Sequence, residues 1–547
     1  MSHGGGRPVL ILVGAAVLTA LGPVWAGGQP SSAPERPRLY VDTTYTLPSG
    51  RTIAVPAGGD FQKAVNEARG GDVVALEAGA SFTGRFTLPD KPGSGWIVVR
   101  TSAPESALPP PGTRADPLYA KVMPKLIAAS GPVITAAAGA HHYRFIGVEI
   151  RPREGASVDN LVLLGGGEIA LAQLPHHIIF DRCYVHGDPI KGGRRGIAMN
   201  SRETAVIDSY LSEFKEVGAD AQALAGWNGP GPFKIVNNYL EAAGENLLFG
   251  GAAPRIPGLV PSDIEIRRNL LAKSLSWNPG DPAYAGTRWT VKYILELKNA
   301  RRVLIDGNLL ERNWEAGDYA GFAIGFTPRN EDGSAPWSAV QDVTVANNIV
   351  RHTGSAMNIS GRDNTWPSQQ TKRILIQNNL FVDVGGTTWG GDGRLFQILN
   401  GTVDVVIDHN TAFQTGTAIM ADGAPNPGFV FRNNIVAHNA YGITGSGTSA
   451  GNLTFRTYFP GLVFARNVLV GPWPSVGGAT RSMYSDRPDN FFPASLDAVG
   501  FVNRARGDYR LAASSRYRTA GTDGKDVGAD FGALSAAVTA PLAETQP

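Results

Sequence analysis

The fold is decided by one phrase that returns eight times: FKIVNNYL (233–240), IEIRRNLL (264–271), VLIDGNLL (303–310), VTVANNIV (343–350), ILIQNNLF (374–381), VVIDHNTA (405–412), FVFRNNIV (429–436) and LVFARNVL (462–469). Each is an alternating apolar strand that ends on an asparagine and restarts with another apolar pair. The asparagines are Asn238, Asn269, Asn308, Asn348, Asn379, Asn410, Asn434 and Asn467, separated by 31, 39, 40, 31, 31, 24 and 33 residues. A unit this short cannot bury its own apolar face and must stack on its neighbours, so the period predicts a solenoid. Cys183 and Ser209 take the asparagine position in the two repeats before the series. Stacked at one turn, the amides can donate to one rung and accept from the other. Asparagine also tolerates the left-handed backbone of a sharp turn, so a structural role is expected for the whole series.

Composition agrees. The 547 residues are 43% hydrophobic and only 18% charged, with 68 glycines and 38 prolines, as in a turn-rich all-β chain. A formal charge of +2 provides no bulk attraction to nucleic acid or an anionic membrane. One cysteine, Cys183, excludes an internal disulfide and any cysteine metal cluster.

Residues 1–26 read as a secretory signal peptide: Arg7, an apolar run from Pro8 to Leu21, then small residues at Val24 and Ala26. The alternative, an uncleaved anchor, is opposed by Pro23 and the shortness of the run. Residues 27–54 form a leader, rich in Pro, Ser and Gly up to residue 40 and expected to be flexible there. The coil occupies 55–475 and opens with a capping helix in DFQKAVNEAR, whose Phe61, Val65 and Ala68 share a face. Residues 476–547 form a closing segment and tail.

On the asparagine position, strand alternation and rung length, residues 55–475 resemble the right-handed parallel β-helix proteins of the pectate-lyase-like superfamily. The resemblance implies an all-β, single-stranded right-handed parallel β-helix. It also implies a monomer acting on an extracellular or periplasmic polysaccharide. The superfamily includes lyases, glycoside hydrolases, epimerases, esterases and adhesins, so the activity must come from the site.

Counting from each asparagine sorts the third strand of a rung into inward and outward residues. Leu247 and Phe249, Met357 and Ile359, Ile419 and Ala421 point in. Asn200, Leu248, Glu296, Gly325, Asn358, Gln397, Met420 and Thr444 then point out. In VKYILELKN, Tyr293, Leu295 and Leu297 are expected inside, with Lys292, Ile294, Glu296 and Lys298 on the outer face. Stacked strands lie about 4.8 Å apart, which sets Glu296 and Asn358 about 10 Å apart, a sugar-ring scale.

The longest spacings carry loops that hold tryptophans. Trp277, Trp289, Trp337 and Trp366 are expected to stack on sugar rings, with Trp314 and Trp389 nearby. Arginines in or beside these loops, Arg329 and Arg362 among them, suit uronate carboxylates. The resemblance implies a lyase in which a base removes the proton beside a neutralised carboxylate. Lys298 or Lys292 is the candidate base beside Glu296, Arg329 and Arg362 are electrostatic partners, and Asn358 and Gln397 are polar neutralisers. Ca²⁺ is the cofactor the resemblance raises, but only Glu296 is acidic among the outward residues. The alternatives are a hydrolase pairing Glu296 with a loop acid, Asp363 or Asp392, and a non-catalytic glycan-binding surface protein.

Overall fold

A computed structural model describes residues 33–471 and 481–543; the signal-peptide expectation for residues 1–26 lies outside them. Three long parallel sheets run side by side along the chain. Sheet A has 14 strands, from Thr52–Val55 to Val463–Ala465; sheet B has 13, from Ser81–Thr83 to Val468–Val470; sheet C has 12, from Phe86–Leu88 to Ile443–Gly445. Each rung visits A, B and C in turn, so every strand pairs with its counterpart one rung away and all inter-rung pairs are parallel. Alternate side chains fill a single continuous core inside the triangle, from Val55 to Tyr484. Stacked phenylalanines, such as Phe145 on Phe180 with centroids 5.1 Å apart, carry it from rung to rung.

The asparagines stand at the turn from A to B and form one buried ladder. The backbone N–H of Asn269 donates to Oδ1 of Asn308 at 2.9 Å, and that of Asn308 to Oδ1 of Asn348 at 2.9 Å. Nδ2 of Asn308 donates back to the Ile266 carbonyl and forward to Asn348 Oδ1. Ser209 Oγ stands in for the amide one rung from Cys183, accepting from its N–H at 3.0 Å. The ladder runs one rung beyond the sequence phrase, to Asn490, which accepts from Asn467 N at 2.9 Å. The left-handed residue is not the ladder asparagine but the one before it. Asn237, Arg268, Gly307, Asn347, Asn378 and His409 all have φ between 52° and 67°. Asparagine therefore recurs at the two positions for different reasons: a left-handed turn at the first, a stacked amide at the second.

The ends are closed from within. Helix α1 (Phe61–Glu67), capped by Asp60 accepting from Lys63 N–H, buries Phe61, Ala64 and Val65 against Phe82 and Phe86. At the other end α2 (Asn452–Tyr458) inserts Phe455 and Tyr458 beside Tyr484. The last stretch then doubles back, and α3 (Phe531–Ala543) lays Leu534 and Val538 on Leu270, Leu309, Ile349 and Leu380 of sheet B.

The leader was expected to be flexible up to residue 40. From residue 35 it is instead docked along sheet A, Glu35 N–H donating to Asp342 and Arg38 N–H to Asp263. Val41 packs on Ile179, Ala205 and Val236, and the Thr43 carbonyl accepts from Arg144. This covers apolar residues that would otherwise face water on the outside of the coil.

Candidate functional site

Sheet C carries the residues that counting places on the outside of the coil. Its pairing sets Ala225, Leu248, Glu296, Gly325, Asn358, Gln397, Met420 and Thr444 in one row. Counting from the asparagines therefore reaches the right residues from Leu248 onward. It fails at Asn200, because Ala198, not Asn200, pairs with Ala225. Asn200 is buried and its Oδ1 accepts from the N–H groups of Trp227 and Asn228, so it shapes a turn.

The second failure changes the chemistry. At the corner from B to C two consecutive residues turn inward: Ile294 and Leu295 are both in the core, as are Ala323 and Ile324, and Ala356 and Met357. The Ile294 carbonyl accepts from both Asn246 and Leu247 N–H, marking the irregularity. Ile294, expected outside, is inside; Tyr293, expected inside, lies on the outer face. The Tyr293 phenol oxygen accepts from Asn358 Nδ2 at 2.9 Å, two rungs on. Its ring passes over Gly325, where an added Cβ would lie 2.8 Å from the ring edge. Burial, helped by the Glu296 charge, pushes the phenol well above its ordinary pKa.

Around Tyr293 opens a cleft of about 340 Å³ lined by Lys292, Glu296, Lys298, Tyr319, Thr327, Arg329, Asn358, Arg362 and Asp363. Glu296 is almost fully buried: Oε1 accepts from Thr327 Oγ1 at 2.7 Å, and Oε2 lies 3.4 Å from Lys298 Nζ. Burial works to lower the Lys298 pKa, but Glu296 and Glu245 outweigh it and the net shift is upward. Lys292 behaves alike. Its Nζ is 2.6 Å from Asp220, it sits 4.9 Å from the Tyr319 ring centroid, and Glu245 and Asp220 hold its pKa above the usual range. Both lysines are held as ammonium ions, which suits them to neutralise charge and not to take a proton.

Arg329 donates to Asp363 at 3.1 Å and Asn364 at 3.2 Å. Burial works to raise the Asp363 pKa, but N–H donors from Asn330 and Thr365 and the Arg329 charge leave it lowered. Arg362 is exposed and donates to the Ser368 carbonyl and Gln370 Oε1, at 3.5 and 3.4 Å. Gln397 Nε2 donates to Asn358 Oδ1 at 3.2 Å, and Arg394 donates to Gln397 Oε1. The face thus carries a hydrogen-bonded chain, Arg394–Gln397–Asn358–Tyr293.

Beneath it lies a buried layer that the sequence only hinted at in GENLLFGG. Lys273 Nζ points into five oxygens: the carbonyls of Ala242, Ala243, Gly244 and Tyr293, and Asn246 Oδ1, at 2.7–3.3 Å. Glu245, next to it in the layer, is pushed up to about 7 by burial and by the Glu296 charge. Burial pushes the pKa of the Lys273 amine down to about 7, and its contacts tie the Tyr293 backbone to the preceding rung.

The tryptophans divide between two loop walls. Trp277 is 2% exposed and packs with Trp314, Val291 and Ala243 in a small core of its own, so it is not a sugar platform. Trp389 is also buried, its Nε1 donating to Asp383 at 2.8 Å. Trp289 is half-buried against that core, and Lys215 Nζ sits 5.3 Å from its centroid. On the opposite wall Trp337 is half-buried and donates to the Leu259 carbonyl at 3.1 Å. Trp366 is 47% exposed and lies against Gly333 beside the cleft. Long loops bury indoles because they must build cores of their own away from the coil.

Glu296, the one carboxylate in this row among the described residues, already shares its charge with Lys298, and Leu248, Gly325 and Met420 in the same row offer no side-chain oxygen.

The chain is a right-handed parallel β-helix. Among solved structures it is similar to the catalytic unit of a GH87 alpha-1,3-glucanase from Streptomyces thermodiastaticus, with TM-score 0.51 and 14% identity over 80% of this chain and 72% of that one. It is also similar to a PL6 family alginate lyase, with TM-score 0.46 and 11% identity over 87% of this chain. The alignment spans 58% of that lyase's length. No family model matches the β-helix, and no curated protein sequence is significantly similar to it. The likeness is one of fold.

Proposed function

We propose that this β-helix is a polysaccharide lyase that cleaves a uronate-containing chain by β-elimination, outside the cytoplasm as residues 1–26 imply. The observation that carries this reading is the Tyr293–Asn358 pair inside a cleft lined by Lys292, Lys298, Arg329 and Arg362. Elimination needs the substrate carboxylate neutralised, which acidifies the adjacent C–H bond. Arg362 has no carboxylate partner among the described residues and can bind that group; Lys298 and Asn358 supply further positive charge and a donor. Tyr293, in the small fraction that its raised pKa leaves ionised, takes the proton from the carbon beside the carboxylate as phenolate. The electron pair forms the C=C bond and the glycosidic C–O bond on the next carbon breaks. The same phenol then returns the proton to the departing oxygen.

A hydrolase reading has less support. It needs two available carboxyl groups flanking the bond, whereas Glu296 is engaged by Thr327 and Lys298, and Asp363 by Asn330 and Arg329. A non-catalytic glycan-binding role is the second reading, favoured by the internal pairing of Lys292, Lys298 and Arg329. Incubation with a panel of uronate and neutral polysaccharides separates the three. Unsaturated non-reducing ends support elimination, saturated products support hydrolysis, and retention without cleavage supports binding alone.

A further inference from the structure

Far from the cleft, on the edge of sheet A where its strands begin, two His-His pairs stack on consecutive rungs. His141 pairs with His176 in register, and their rings stack at 4.8 Å; those of His142 and His177 stack at 4.4 Å. Within each pair the two Nδ1 atoms are 2.7 Å apart, so a neutral pair shares one proton across that contact and leaves one ring-nitrogen lone pair unused. Glu203, on the third rung, sets Oε2 2.8 Å from His177 Nδ1. Trp96 walls one side, its ring centroid 5.2 Å from that of His142. Ring nitrogens of His142, His176 and His177 all lie within 4.8 Å of one another, and all three side chains are half-buried.

We propose that His142, His176 and His177 form a binding site for a divalent transition-metal ion of the Zn²⁺ or Cu²⁺ class, with Glu203 as a fourth ligand or as the carboxylate that orients His177. Imidazole donors select such ions over Mg²⁺ or Ca²⁺. Metal–nitrogen bonds of about 2.0–2.1 Å require the three nitrogens to draw together, which half-buried side chains at a strand edge can do. The position gives the ion a purpose. The three rungs it would join are those where Val148, Cys183 and Ser209 stand in place of a ladder asparagine. A metal clip would add a second tie at rungs that the hydroxyl of Ser209, and not stacked amides, links to the ladder. This inference is independent of the reaction proposed at the cleft.

The test uses tag-free, full-length mature protein, titrated calorimetrically with zinc sulfate, with magnesium and calcium chlorides as controls. We expect one zinc per chain, a raised melting temperature with zinc alone, and imidazole nitrogen coupling in the Cu²⁺ electron paramagnetic resonance spectrum. His142→Gln with His177→Gln should weaken zinc binding at least about tenfold, and Glu203→Gln by about tenfold, with unchanged circular dichroism. His352→Gln, elsewhere on the coil, should have no effect. Should the double variant fail to fold, the Glu203→Gln titration and the copper spectrum decide. Absence of saturable binding, equal affinity in a folded histidine variant, or a copper spectrum without nitrogen coupling overturns the proposal.

Discussion

The phenol oxygen of Tyr293 accepts a hydrogen bond from the Asn358 amide at 2.9 Å, although the two residues stand two rungs apart. The ring must cross the intervening rung, and Gly325 is what lets it. If Tyr293 transfers the proton, Tyr293→Phe should lower cleavage by about 10²–10⁴-fold while leaving the coil folded. Because burial raises this phenol's pKa, the wild-type rate should climb with pH through the alkaline range, about tenfold per unit, as the phenolate fraction grows. Initial rates across pH on a cleaved uronate polymer check both.

Gly325 has no side chain to spare. An added methyl would meet the Tyr293 ring at 2.8 Å and the Glu296 stem at 3.1 Å, so the ring, as the movable partner, must swing away. Gly325→Ala should therefore cost activity at little cost in stability. Steady-state kinetics beside thermal melts will show whether the rate falls about tenfold or more while the melting temperature holds.

Lys298 and Glu296 form a buried pair, and removing one member leaves the other charge stranded. Lys298→Ala should destabilise by about 3 kcal/mol as well as impair cleavage. Combining Lys298→Met with Glu296→Gln should restore most of the stability without restoring activity. Denaturant unfolding of the single and double variants separates the structural share of this pair from its electrostatic share.

Glu241 gives the pH dependence of stability a definite sign. Burial and the Glu213 charge push its pKa up to about 7 from the usual carboxyl range near 4.5. The folded state thus binds more protons than the unfolded state between these values, and stability falls as pH rises through that window. Glu241→Gln mimics the protonated form, and its amide oxygen can still accept from the Tyr239 hydroxyl. It should match the wild type below pH about 4.5 and exceed it above pH about 7 by on the order of 1 kcal/mol or more.

Much of this is legible in the sequence. The asparagine period predicted the coil because each unit needs its neighbours; counting from Asn348 brought Asn358 to the outer face, and strand alternation in RLFQILN brought Gln397 there. The count slipped at Tyr293 because the corner takes two inward residues, Ile294 and Leu295, where simple alternation allows one. The run YILEL fits either register, and only the packing of the corner decides between them. Trp277 misled for another reason: composition marks an indole in a loop, but whether it faces sugar or its own loop depends on Trp314 and Val291 coming to meet it. Lys273 was invisible, since nothing local in the sequence distinguishes a lysine caged by five oxygens from one in solvent.

The central claim is that Tyr293 drives β-elimination in the sheet C cleft. Its most direct test follows ultraviolet absorbance of unsaturated ends as wild type and Tyr293→Phe act on a panel of uronate polysaccharides. The account predicts that at least one polymer yields unsaturated ends with the wild type and almost none with the variant. Saturated products, or undiminished unsaturated ends from a folded Tyr293→Phe, would contradict it.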